Sequence, residues 1–251
     1  MADLDRRAAG ASYGTATWGQ TAAADIDVGL RQYMLRVYNY MASGLLLSGI
    51  VAVVVANTGL AELFFQVNAN GRLGYTGLGF IAMFAPLGII LAMSFMRNIS
   101  IAGLQGLYWA LVSTMGVGFA VALMTYTGTS VARVFFITAA SFGALSLYGY
   151  TTKRSLSGMG SFLFMGLIGI VLASVVNIFL ASSMMHFMIS AVGVIVFAGL
   201  IAYDTQNIKN QYLEIRGSGL EDRSAIMGAV SLYLNFVNLF QFLLSFLGNR
   251  E

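Results

Sequence analysis

Seven apolar runs, separated by short polar connections, limit what this chain can fold into more than any other feature. With their ends placed to within a few residues, they cover about 35–56, 77–96, 101–125, 130–150, 160–181, 184–206 and 225–248. Each is near the ~20 residues that a helix needs to cross the hydrocarbon core of a bilayer. Backbone polar groups find no water there, so a spanning segment must be a helix or a strand of a closed barrel. Strand-period alternation in short, evenly spaced segments is missing, which sets the barrel aside. Only 9% of the 251 residues are charged and 58% are hydrophobic, whereas a soluble domain carries about a quarter charged residues. The expected fold class is an all-α polytopic membrane protein with seven transmembrane helices. Residues 29–251 would form that domain, behind a flexible cytoplasmic tail at 1–28 that has no apolar core before a cleavage site.

The longest connections are 57–76, with Asn68-Ala69-Asn70-Gly71 as a turn signal, and 207–224, which is charged and holds Gly217 and Gly219. Basic residues set orientation. With the N-terminus inside, Arg6, Arg7, Arg31, Arg36, Arg97, Lys153, Arg154, Lys209, Arg216 and Arg223 are cytoplasmic, and Arg72, Arg133 and Arg250 are not. That split accounts for the basic pI near 9.2 without a nucleic-acid partner. If the last run crosses fully, the C-terminus lies outside; a re-entrant last run would return it inside. Glycines within the runs, among them Gly116, Gly118, Gly166, Gly169, Gly193 and Gly199, fit close helix packing in lipid. Pro86 removes a backbone hydrogen bond from the second run and predicts a bend there.

Asp204 ends the sixth run, and it alone of ten acids falls outside the tails and connections. A lone carboxylate in a spanning helix is costly, which marks it as functional. Arg97 ends the second run on the same side and could pair with it, or could simply snorkel to the headgroups as a topological anchor. In the seventh run Ser231, Asn235, Asn238 and Ser245 fall within about 80° on a helical wheel, with Gln241 at the edge. Such a stripe fits interhelical hydrogen bonding or, beside an intramembrane acid, the wall of a wet path.

Residue types exclude much else. No cysteine is present, so disulfides and thiolate metal sites are ruled out. The single histidine, His186, excludes a zinc-protease motif and reads as an interfacial residue at the outer end of the sixth run. Lys153 and Lys209 lie in connections, where no retinal Schiff base could form. An intramembrane aspartyl protease needs two acids sharing a site, and one is available. Neither an enzyme nor a resident cofactor is expected.

The stretch Tyr203-Asp204-Thr205-Gln206-Asn207-Ile208-Lys209 resembles the signature of the Bax-inhibitor family. Leu232-Tyr233-Leu234-Asn235-Phe236-Val237-Asn238-Leu239-Phe240 and Thr151-Thr152-Lys153-Arg154-Ser155-Leu156-Ser157 extend the resemblance over roughly residues 30–248. It implies six helices around a central one and a calcium-permeable, pH-sensitive leak. It also implies a proton-sharing pair of aspartates on the sixth and seventh helices, latched by an arginine of the second. Asp204 matches the first aspartate and Arg97 the arginine, while Asn235 stands where the second aspartate would be. The reading is a regulated calcium leak of the bacterial inner membrane. Its path and gate comprise Asp204, Asn235, Asn238 and Arg97, with Ser231 and Gln241 as a secondary polar wall. Calcium, the permeant ion, would meet Asp204 weakly and transiently, because a tight site takes six to eight oxygens. Some bacterial relatives instead partner a membrane-bound AAA protease, so the alternative is a non-conducting regulator of such a protease or of a stress response.

Overall fold

The computed structural model describes the backbone of residues 2–67, 73–96 and 99–249, and the side chains of 28–67, 74–96 and 99–249. The expected tail, Val28 excepted, the Asn68–Gly71 turn and Arg97 therefore lie outside the residues described in full. The first helix, α1, covers Ala2–Asn57, and its stretch Val28–Asn57 is long and apolar enough to cross a membrane. Six more helices meet that criterion: α3 (Gly77–Phe95), α4 (Ile101–Thr125), α5 (Gly128–Thr151), α6 (Ser157–Leu180), α7 (Ser183–Ile215) and α8 (Glu221–Leu247). The short α2 (Ala61–Phe64) lies between the first two spans.

Polar residues at the run boundaries fix where these helices start. The side chains of Thr76, Ser100, Thr127 and Ser182 accept hydrogen bonds from the backbone N–H groups of Gly79, Gly103, Ser130 and Met185. Each satisfies an amide that the helix itself leaves open, a cap worth about 1 kcal/mol. The α3 helix runs without interruption through Pro86.

Two connections differ from the sequence reading. Residues 57–76 hold α2 and a hairpin in addition to a turn: β1 (Phe65–Val67) pairs antiparallel with β2 (Leu73–Tyr75), and Phe65 lies opposite Tyr75. That aromatic cross-strand pair, with ring centroids 5.7 Å apart, is the packing that favours strands over coil. The sixth spanning helix, α7, also continues well past 206. Ile208 is buried and the ring of Tyr212 lies 4.9 Å from that of Tyr33 on α1, so one face of this polar stretch still packs on the bundle. It stops at Gly217 and Gly219, whose φ of 75° and 78° are conformations that other residues seldom adopt. The helical extension and the turn replace the expected loop.

The α8 helix is the centre of the bundle. It packs against α1, α4, α5 and α7, while α3 leans on α4 and α6 on α7 from outside. Ala225, Ile226, Ala229, Leu232, Tyr233 and Leu239 are almost wholly enclosed. The outer helices show lipid the reverse pattern, with Phe162, Phe179 and Leu180 of α6 exposed. Apolar side chains on that surface cost nothing in a bilayer, which leaves hydroxyls and amides to the interior. At 27 residues α8 is about 40 Å long, enough to cross fully in one piece.

Polar groups tie the inner helices together. Ser48 of α1 donates to the carbonyl of Val112 on α4 at 2.7 Å, and lies 2.7 Å from the Tyr233 hydroxyl of α8. Among the described residues no buried side-chain nitrogen or oxygen lacks a partner. Close backbone approach does the rest: a Cβ on Gly149 of α5 would collide with the backbone of Ala202 on α7, and one on Gly116 of α4 with that of Ser48.

Candidate functional site

Consecutive residues on a helix are turned about 100° from each other, so the four polar side chains of Asp204-Thr205-Gln206…Lys209 cannot share one face. They divide among three neighbours: Asp204 meets α8, Thr205 and Lys209 meet α5, and Gln206 meets the α5–α6 connection. Asp204 points to α8, where its Oδ2 accepts from Ser231 Oγ at 2.5 Å and from Asn235 Nδ2 at 2.7 Å. Ser231 and Asn235 are four residues apart, hence one above the other on α8, and both reach the same oxygen. Among the described residues Oδ1 accepts no hydrogen bond, and no cation pairs with this carboxylate.

Thr205 is completely buried and points to α5. It donates back to the Ile201 carbonyl at 2.7 Å and lies 3.0 Å from Ser146 Oγ, which in turn lies 2.6 Å from the Tyr38 hydroxyl of α1. Three helices are thus joined through hydroxyls beside Asp204. Gln206 points away from Asp204 and holds the α5–α6 connection. Its Oε1 accepts from the Leu156 amide at 2.7 Å, and its Nε2 donates to the Arg154 carbonyl at 2.9 Å. Lys209 donates to the Tyr150 carbonyl at 2.8 Å, near the C-terminal end of α5, where a helix presents unsatisfied carbonyls and negative potential. The signature is therefore a junction from which α7 grips α8, α5, α1 and the α5–α6 connection.

The structure divides the expected path residues. It brings Asp204, Ser231 and Asn235 together. Asn238 instead donates to the Leu234 carbonyl of its own helix at 2.8 Å, and Gln241 is exposed. Ser245 lies at the other end of the bundle, 2.7 Å from His186 Nε2 and 3.1 Å from Ser190 Oγ. Arg97 lies outside the described residues, but the carbonyls on either side of it do not: Arg223 at the start of α8 donates to Met96 at 3.0 Å and Ile99 at 3.3 Å. Next to it, Asp222 pairs with Arg36 of α1.

Thr205, Gln206, Lys209 and Arg223 carry contacts that residue type and spacing do not single out. Three of them sit inside the quoted signature, and the only available clue was that adjacent polar residues on a buried helix must face different partners. Gln206, Lys209 and Arg223 bind backbone atoms, which leave no side-chain signature at the far end.

Among the described residues no three His, Asp or Glu side chains come together as a metal-holding group. At Asp204 the oxygens available to a passing cation are those of the carboxylate, the Asn235 amide and the Ser231 hydroxyl. That falls well short of the six to eight that hold calcium tightly.

Comparison with known proteins places this geometry in context. The family described as "Inhibitor of apoptosis-promoting Bax1" matches residues 30–251. An uncharacterized protein of Caulobacter vibrioides is 48% identical over 234 residues, covering 90% of this chain and 92% of that one. The uncharacterized protein RP147 of Rickettsia prowazekii is 48% identical over 229 residues, covering 90% and 92%. The inner membrane protein YbhL of Escherichia coli K12 is 43% identical over 227 residues, covering 89% and 94%.

Proposed function

Within the Bax inhibitor family, to which this chain belongs, we propose that it forms a regulated calcium-permeable leak in the inner membrane. Asp204 is the charged element of the path. The observation that carries the reading is a half-buried carboxylate between two helices of a seven-helix bundle, which only neutral donors, Ser231 and Asn235, engage among the described residues. A group so placed is costly to stability and makes sense as an ion's stepping stone. With few oxygens around it a cation is bound weakly enough to leave again. Arg97 is the latch, carried on a connection whose carbonyls Arg223 clamps to α8. The N-terminus is cytoplasmic, as the basic residues require, and an odd number of crossings leaves the C-terminus outside.

The test is calcium entry into liposomes that contain the pure protein. Entry above that of empty liposomes supports the leak. Entry equal to theirs at every pH defeats it and favours a non-conducting regulator of a membrane protease or stress pathway. Arg97→Ala should raise resting entry several-fold, because the carboxylate loses its closing partner. Unchanged entry would make the arginine a topological anchor only.

The neutral residue at 235 has its own consequence. Two carboxylates at hydrogen-bond distance share a proton and titrate as a pair, which is what makes such a site pH-sensitive. Asn235 carries no charge and donates to Asp204, so no proton is shared here. Wild-type entry should change little between about pH 6 and 8, and Asn235→Asp should introduce a clear titration in that window. Flux against pH for the two proteins in identical liposomes checks this. A steep wild-type profile would place the sensor elsewhere.

A further inference from the structure

The α1 and α5 helices both pack on α7 and α8, and between them they leave a groove of about 760 Å³ that is open to the outside of the bundle. That volume lies within the roughly 300–1,000 Å³ of ligand clefts. Its walls are apolar, from Met34 and Leu35 on α1 and Phe142 and Leu147 on α5. Its floor holds the hydrogen-bonded Tyr38 and Ser146, and Ser146 bonds onward to Thr205, the neighbour of Asp204. Arg31 stands at one end of the groove, one to two helical turns before Tyr38, and is exposed. Among the described residues it makes no ion pair, unlike Arg36, which is neutralised by Asp222. Across the groove, Tyr150 ends the α5 wall, and the exposed Lys153 and Arg154 follow it on the chain. An apolar slot in a bilayer with uncompensated cations at one end matches one chemistry: an acyl chain that carries an anionic headgroup.

We propose that the α1–α5 groove binds an anionic phospholipid, with an acyl chain along Leu35, Phe142 and Leu147 and its phosphate at Arg31. The same leaflet that attracts the basic connections supplies this lipid. The site does not depend on whether the protein conducts. It seats the lipid against the hydroxyl chain Tyr38–Ser146–Thr205, one residue from the carboxylate.

Gly143 makes the groove separable from its charge. It lines the groove and is exposed, and a Cβ there meets no heavy atom within 4 Å, so a side chain at this position starts in the open space of the groove rather than against a neighbouring helix. The experiment is native mass spectrometry of the purified full-length protein in detergent, titrated with phosphatidylglycerol or with phosphatidylcholine. Wild type should retain one phosphatidylglycerol in preference to phosphatidylcholine. Arg31→Gln should weaken retention of phosphatidylglycerol about fivefold and leave phosphatidylcholine unaffected, the effect of one basic side chain near an anionic headgroup. Gly143→Leu should abolish retention of both. Equal retention of the two lipids by wild type, or wild-type retention of phosphatidylglycerol by either variant, would overturn the proposal.

Discussion

Asp204→Asn should reduce calcium entry to the level of empty liposomes while leaving the bundle folded. The replacement keeps the shape of the side chain and an oxygen that can still accept from Ser231 Oγ and Asn235 Nδ2, so the α7–α8 contact survives. Only the charge is removed. The one carboxylate at this contact is then gone from the path, and nothing beside it on α8 replaces it, since Ser231, Asn235 and Asn238 are all neutral. Calcium entry at matched protein density, with helix content measured by circular dichroism, checks both halves. Entry that persists in a folded Asp204→Asn protein would remove the carboxylate from the path.

Gln206→Ala should cause the largest loss of stability of any single change in the signature. The Gln206 amide satisfies two backbone groups of the α5–α6 connection, the Leu156 N–H and the Arg154 carbonyl. Leu156 is buried, so its N–H gains no water when the amide is removed. Each buried polar group left without a partner costs about 1–3 kcal/mol, and truncation of the side chain adds a cavity. By contrast, the hydrogen bond between Thr205 and Ser146 is of the interhelical kind worth about 0.6 kcal/mol on average. Unfolding in detergent should therefore rank Gln206→Ala well below Thr205→Val. Equal stabilities would mean that the connection is held by something other than this amide.

Much of the fold is written in the hydropathy pattern. A run such as 101–125 is uncharged, mostly apolar and bounded by Ser100, so both the helix and its first residue can be read directly. The same pattern fails where helix and membrane end at different places. Asn207–Ile215 is polar enough to leave the bilayer yet stays helical, because Ile208 and Tyr212 still pack. Asp204 consequently lies about 16 Å inside the end of α7 rather than at its edge. The hairpin β1–β2 was illegible for another reason: three-residue strands are too short to show alternation.

The site was legible in part. A carboxylate in an apolar run stands out alone, and the stripe on α8 pointed to Ser231 and Asn235 as its neighbours. The wheel could not show how far along the helix the stripe serves one purpose. Asn238 turns back to its own backbone, and Ser245 serves His186 at the far end, although both fall within the same stripe as Asn235. Angular position is set by spacing in sequence, but depth along a partner helix is set by tertiary packing.

The absence of cysteine allows the most direct test of whether ions pass Asp204. Ser231→Cys would carry the sole thiol of the protein, beside the carboxylate, on the face that α8 turns to α7. The measurement is calcium entry into liposomes before and after a positively charged, water-soluble thiosulfonate reagent. If Asp204 lines an aqueous path, the reagent reaches position 231 and calcium entry stops. A thiol at 231 that does not react, or that reacts without altering entry, would contradict a path through this site.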